Sequence, residues 1–162
     1  MKNTVYIETS IISYLAALPS RDLIVAAHQQ ITQRWWEKER KRFEIYISTL
    51  VEEEAGRGDT DAATRRLSFT GSLPVLEMKR QIVELAKILI MKGALPAKAQ
   101  DDAMHVALAA VHGCDYLLTW NCRHIDNAEN KPLIRMICNK EGYVCPEICT
   151  PEELMEEDED EG

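Results

Sequence analysis

"VYIETSIISYL", residues 5–15, joins two hydrophobic periods at a single acid. Before Glu8, β-branched and aromatic residues run as in a strand. After it, Ile11, Ile12, Leu15 and Leu18 fall at helical spacing and the pattern stops at Pro19. The same junction recurs where "FEIYIS" (43–48) runs into "TLVEEEAGRGD" (49–59), a short helix stopped by glycines. A strand leading straight into a helix, twice, with acids on the first helical turns, is the signature of β–α units, which build parallel sheets.

The rest of the chain continues the alternation. Ser20 is placed to cap a long helix over 21–42, with Leu23, Ala26, Ala27, Ile31 and Trp35 on one face. "DTDAATRRLSFTGSL" (59–73) predicts a helix, "LPVLE" (73–77) a short strand and "KRQIVELAKILIMKGAL" (79–95) an amphipathic helix with Gly93 near its end. Pro96 opens a helix over "AKAQDDAMHVALAAVHG" (97–113), closed by Gly113. "CDYLLTW" (114–120) predicts a buried strand, followed by the polar loop "NCRHIDNAENKP", a helix over "LIRMICNKEG" and a last strand at "YVCPEI". The expectation is a three-layer α/β/α sandwich around a central, mainly parallel sheet with right-handed crossovers.

The 162 residues suit one domain, large enough to bury a core without disulfides. No apolar stretch approaches the length of a membrane span and "MKNTVYIETS" lacks a signal peptide's apolar run, so a cytoplasmic location is expected. Five cysteines, an odd set without a C-x-x-C pair, predict reduced thiols, and Cys145 and Cys149 have no His near them that would suggest zinc. The net charge of −8 equals the eight acids of "EELMEEDEDE" (152–161), so the remaining chain is formally neutral and open to an anionic partner. The domain is therefore expected at 1–150, with 151–162 a disordered acidic tail.

In parallel α/β sheets, ligands bind outside the carboxyl ends of the strands. Glu8 follows the first strand, Glu52, Glu53 and Glu54 follow the second by one turn, Asp101 and Asp102 begin the helix before "CDYLLTW", and Asn121 follows that strand. Each acid alone would stabilise a helix N-terminus by about 0.3–1 kcal/mol. Several converging carboxylates repel one another unless a cation lies between them, and Mg²⁺ takes a few carboxylate oxygens while retaining waters that can attack a phosphodiester. Periodicity selects Glu54 as the inward acid, with Glu53 second, and prefers Asp102 over Asp101. His105, one turn from Asp102, reads as a packing residue or a donor to a ligand.

These segments, from "VYIETSIISYL" through "YISTLVEEEAGRGD" and "LPAKAQDDAMHVALAAVHGCDYLLTWNCRHIDN" to "YVCPEICTPEEL", resemble the PIN-domain ribonucleases, in particular toxins of the VapC type. The family's first acid, usually aspartate before Thr and Ser, corresponds to Glu8; its second and third fall on Glu54 and Asp102. The fourth position, commonly aspartate, is Asn121, which reads equally as a ligand and as a loop cap. The resemblance implies a Mg²⁺- or Mn²⁺-dependent endoribonuclease with Glu8, Glu54 and Asp102 as metal ligands, Asn121 completing the catalytic set, and Ser10 supporting a carboxylate or water. Glu53 and Asp101 are the secondary acids. It also implies single-stranded RNA as substrate, a cognate antitoxin partner and a homodimer; spare apolar residues in the first helices and the Trp35/Trp36 region mark the expected contact surface.

Positive charge for phosphates is expected from Arg57 and Arg123, which flank the acidic segments; "EKERKR" (37–42) reads instead as a solvated helix end. Haloacid-dehalogenase-like phosphatases and receiver domains also use acids at sheet ends, but they need acids at positions where this chain has Glu8, Thr9 and Ser10. The alternative to a nuclease is a PIN-like module that binds RNA or protein with weakened catalysis.

Overall fold

A computed structural model describes residues 1–157 of the chain. Five strands form the central sheet: β1 (Asn3–Ile7), β2 (Phe43–Ser48), β3 (Val75–Leu76), β4 (Tyr116–Leu118) and β5 (Glu147–Cys149). The helices are α1 (Thr9–Ala16), α2 (Leu23–Lys38), α3 (Thr49–Ala55), α4 (Thr60–Thr70), α5 (Arg80–Met91), α6 (Gln100–Val111) and α7 (Lys131–Lys140). Every strand pair is parallel and the order is β3-β2-β1-β4-β5. The α/β/α sandwich expected from the alternating pattern is the fold.

This order positions the site. The chain steps outward from β1 through β2 to β3, then returns to lay β4 on the other side of β1. Strand order therefore reverses between β1 and β4, and a crevice opens beyond their carboxyl ends. Glu8 follows β1 and Thr119 follows β4, and the Glu8 amide donates to the Leu118 carbonyl at 3.0 Å. The strands are hydrophobic on both faces, with Val5, Tyr6, Ile7, Ile47, Leu117 and Leu118 buried, as a sheet covered by helices on both sides requires.

Helix α2 differs most from its expected form. Asp22, not Ser20, caps it, accepting from the Val25 amide at 3.0 Å, and it ends at Lys38 before a 3₁₀ turn at Arg40–Arg42. Its inward stripe is Gln29, Thr32 and Trp35, whereas Leu23 and Ile24 are 87% and 70% exposed. The polar residues face inward because each has a partner. Gln29 accepts from the Ser20 amide and donates to the Leu18 carbonyl, both at 3.0 Å, and Thr32 accepts from the Trp120 indole at 2.7 Å. Trp36 packs edge-on to Phe69 beneath the Arg40 guanidinium.

The acidic segment also begins later than its composition suggests. Pro151–Leu154 form a 3₁₀ turn with a capping box between Thr150 and Glu153, Pro151 is buried, and the Trp35 indole donates to the Leu154 carbonyl at 3.1 Å. Two apolar anchors and a cap outweigh the local charge. The end of the expected tail, 158–162, lies outside the described residues. All five cysteines are free thiols, and among the described residues no helix is long and apolar enough to cross a membrane.

Candidate active site

Glu8 is both cap and rim acid. It is the N-cap of α1 with extended backbone, and its carboxylate accepts from the Ser10 amide at 3.1 Å. The Ser10 hydroxyl donates to it at 2.5 Å and the Thr119 hydroxyl at 2.6 Å, so residues from both sides of the strand reversal hold one oxygen, Oε1. Ser10 Oγ also accepts from the Trp120 amide, and Thr119 Oγ1 from the Asn121 amide, which ties the end of β4 to the start of α1. Only 6% exposed, Glu8 has its charge met by hydrogen-bond donors.

Glu54 is reached from the opposite direction. Thr9 Oγ1 donates to Glu54 Oε1 at 2.7 Å, and His105 Nε2 lies 2.5 Å from the same oxygen. An ionised carboxylate only accepts, so His105 carries its proton on Nε2. His105 Nδ1 meets the Tyr6 hydroxyl at 2.7 Å, which meets Ser48 Oγ at 2.8 Å. Burial lowers the affinity of His105 for a second proton, but the Glu54 hydrogen bond and the charges of Glu8, Glu54 and Asp102 prevail, and its pKa is raised. Burial alone would raise the Glu54 pKa; the His105 hydrogen bond and charge, with Thr9 and Arg57, bring it below the ordinary value. Tyr6 is raised well above 10 by burial and by the nearby acids, so it remains a neutral phenol.

Asp102, in the first turn of α6, pairs through Oδ2 with His124 Nδ1 at 2.9 Å. His124 is held by Asn121, whose side-chain oxygen accepts from the His124 amide at 3.0 Å, and Asn130 donates to the His124 carbonyl. Asn121 thereby caps the loop that carries His124. Asp101 faces Arg57 at 3.8 Å with both side chains more than half exposed, a contact worth little in solvent. Glu53 and Arg123 are exposed.

Glu54, Asp101 and Asp102 line one open cavity of about 480 Å³ together with Lys98 and Gln100. Both hydrogen bonds to Glu54 fall on Oε1 and the one to Asp102 on Oδ2, leaving Oε2 and Oδ1 without partners among the described residues. A polar, open cavity lined by two carboxylates that each keep an unbonded oxygen fits a hard cation that keeps most of its waters. Glu8 does not line that cavity, and among the described residues no three His, Cys, Asp or Glu side chains form a ready metal cage. Glu54 and Asp102 line this cavity, Glu8 is tied to the strand junction by Ser10 and Thr119, and the charges of all three acids act on the buried His105.

The partners of these acids were not legible from spacing. Thr9, Tyr6, Ser48, Thr119 and His124 each reach an acid or its partner across the fold, and only His105 carried a local signal, its position one turn from Asp102.

No protein-family model and no curated protein matches the chain. Its fold is that of PIN-domain toxins of the VapC type. VapC20 of Mycobacterium tuberculosis, described as a sarcin-ricin loop cleaving toxin, is similar with a TM-score of 0.58 and 15% identity over 87% of this chain and 97% of that one. VapBC2 from Rickettsia felis, determined bound to a DNA fragment from its promoter, is similar with a TM-score of 0.57 and 16% identity over 91% and 98% of the two chains.

Proposed function

We propose that this protein is a divalent-metal-dependent endoribonuclease of the toxin type that cleaves single-stranded RNA in the cytoplasm. The observation that carries the reading is the pair Glu54 and Asp102, which line one open cavity and each keep one carboxylate oxygen without a hydrogen-bond partner among the described residues. Mg²⁺ or Mn²⁺ would be held by these two residues and, when bound, would supply charge stabilisation at the phosphoryl group and a more acidic water.

The chain's own groups do the rest. His124 fixes the Asp102 carboxylate, Asn121 holds the loop that carries His124, and Ser10 and Thr119 anchor Glu8 as a nearby negative charge. Lys98 on the cavity wall, Arg57, which faces Asp101, and exposed Arg123, next in sequence to His124, offer positive charge to phosphates. A cognate antitoxin and a second copy of the chain are the protein partners of this reading, supported by the VapBC2 likeness and by the exposed apolar residues Leu18, Leu23 and Ile24.

A second reading, a PIN-like binding module with weakened catalysis, is favoured by one observation: the Glu8 carboxylate already accepts three hydrogen bonds, from the Ser10 amide and hydroxyl and the Thr119 hydroxyl. Incubating the protein with labelled single-stranded RNA, with Mg²⁺, Mn²⁺ or chelator, separates the two. The nuclease reading expects metal-dependent internal cleavage that Asp102→Asn abolishes without unfolding the protein. Absence of cleavage together with absence of stabilisation by millimolar Mn²⁺ rejects it in favour of the binding module.

A further inference from the structure

Polar side chains in the centre of a parallel sheet are costly unless every one finds a partner. Here a continuous chain of them crosses the core. Ser48 at the end of β2 meets Tyr6 on β1 at 2.8 Å, Tyr6 meets His105 on α6 at 2.7 Å, and His105 meets Glu54 on α3 at 2.5 Å. Ser48, Tyr6 and His105 are all fully buried. The chain ends on the single acid of its series that opens onto the cavity.

Its geometry has one effect on Glu54. His105 and Thr9 approach from α6 and α1 and both bond to Oε1, so the carboxylate is pinned by two donors on one oxygen and its other oxygen is left free. Tyr6 does the same for His105: by engaging Nδ1 it fixes the plane of the imidazole, and with Nε2 turned to Glu54 the ring has no third polar atom to satisfy. A core of this kind would be cheaper with Leu, Phe and Val at these positions if its purpose were stability alone.

We propose that His105, oriented by Tyr6, is the positioning residue that presents the free oxygen of Glu54 to the cation. This rests on the metal-dependent reading given above. Groups that orient a metal ligand through hydrogen bonds commonly change metal affinity about 10- to 100-fold when removed.

The test is Mn²⁺ affinity, measured by calorimetric titration of the folded, RNA-free protein, for wild type, His105→Leu, His105→Gln and Tyr6→Phe, with melting curves alongside. His105→Leu and Tyr6→Phe are expected to weaken Mn²⁺ binding about 10-fold or more, and His105→Gln, whose amide can still donate toward Glu54, to recover part of that loss. A purely structural role would lower melting temperature and leave Mn²⁺ affinity unchanged in the folded variants, and that result overturns the proposal. If His105→Leu does not fold, Tyr6→Phe and His105→Gln decide by the same criterion. Failure of wild type itself to bind Mn²⁺ overturns the metal-dependent reading, which separates the two outcomes.

Discussion

Replacing Thr119 by valine keeps the shape of a fully buried side chain and removes one hydroxyl. That hydroxyl donates to the Glu8 carboxylate at 2.6 Å and accepts from the Asn121 amide at 2.9 Å. A hydrogen bond to a charged group contributes about 1.5–3 kcal/mol and an ordinary backbone bond about 1 kcal/mol, so the substitution is expected to cost about 3 kcal/mol. For a chain of this size each kcal/mol moves the melting temperature by about 2–4 °C, which predicts a loss of about 6–12 °C. Differential scanning calorimetry on wild type, Thr119→Val and Thr119→Ser reads the effect; the serine variant keeps the hydroxyl and should recover most of it. A loss under about 2 °C in Thr119→Val would refute the view that donors, rather than a bound cation, stabilise the Glu8 charge in the metal-free protein.

Two further outcomes follow from other parts of the fold. A chain ending at Thr150 loses the acceptor of the buried Trp35 indole and the burial of Pro151, and should melt several degrees lower, followed by tryptophan fluorescence; an unchanged melting temperature would contradict the packing of that turn on α2. The His105–Glu54 pair gives a pH-dependent stability that His105→Gln should lack. The His105 pKa is raised from 6.5, so its contribution is full below pH 6.5 and disappears as pH rises through the folded value; the Glu54 pKa is lowered from 4.5, so its share is full above pH 4.5 and disappears as pH falls through the folded value. Urea melts at about pH 5.5 and 8.5 should therefore find the advantage of wild type over His105→Gln larger at the lower pH.

Where local pattern and burial agree, the fold is written in the sequence. β1 and β2 each run directly into α1 and α3, and the inward position of Glu54 follows from Leu50 and Val51, which are buried one turn before it. Asp102, preferred over Asp101 for the face it shares with Val106 and Ala109, is the less exposed of the two acids and pairs with His124. Helix α2 misled because periodicity rewards apolar residues, and its inward stripe of Gln29 and Thr32 is satisfied by partners 11 and 88 residues away. The turn after Thr150 misled in the same manner: composition averages over a segment, whereas Pro151 and Leu154 anchor it at single points. The anchoring of Glu8 at the strand junction depends on Thr119, which is 111 residues from Glu8 and carries no local signal of its role.

The pinning of Glu54 bears on how such a site can be moved between proteins. Its two donors come from α1 and α6, and the donor on α6 is itself held by Tyr6 near the end of β1. Grafting only the sheet-end acids onto another parallel α/β scaffold would transplant the carboxylates without their aim. A graft that keeps these hydrogen bonds has to carry Tyr6 and His105 into the host's interior as well, so the smallest portable unit of this arrangement includes part of the core.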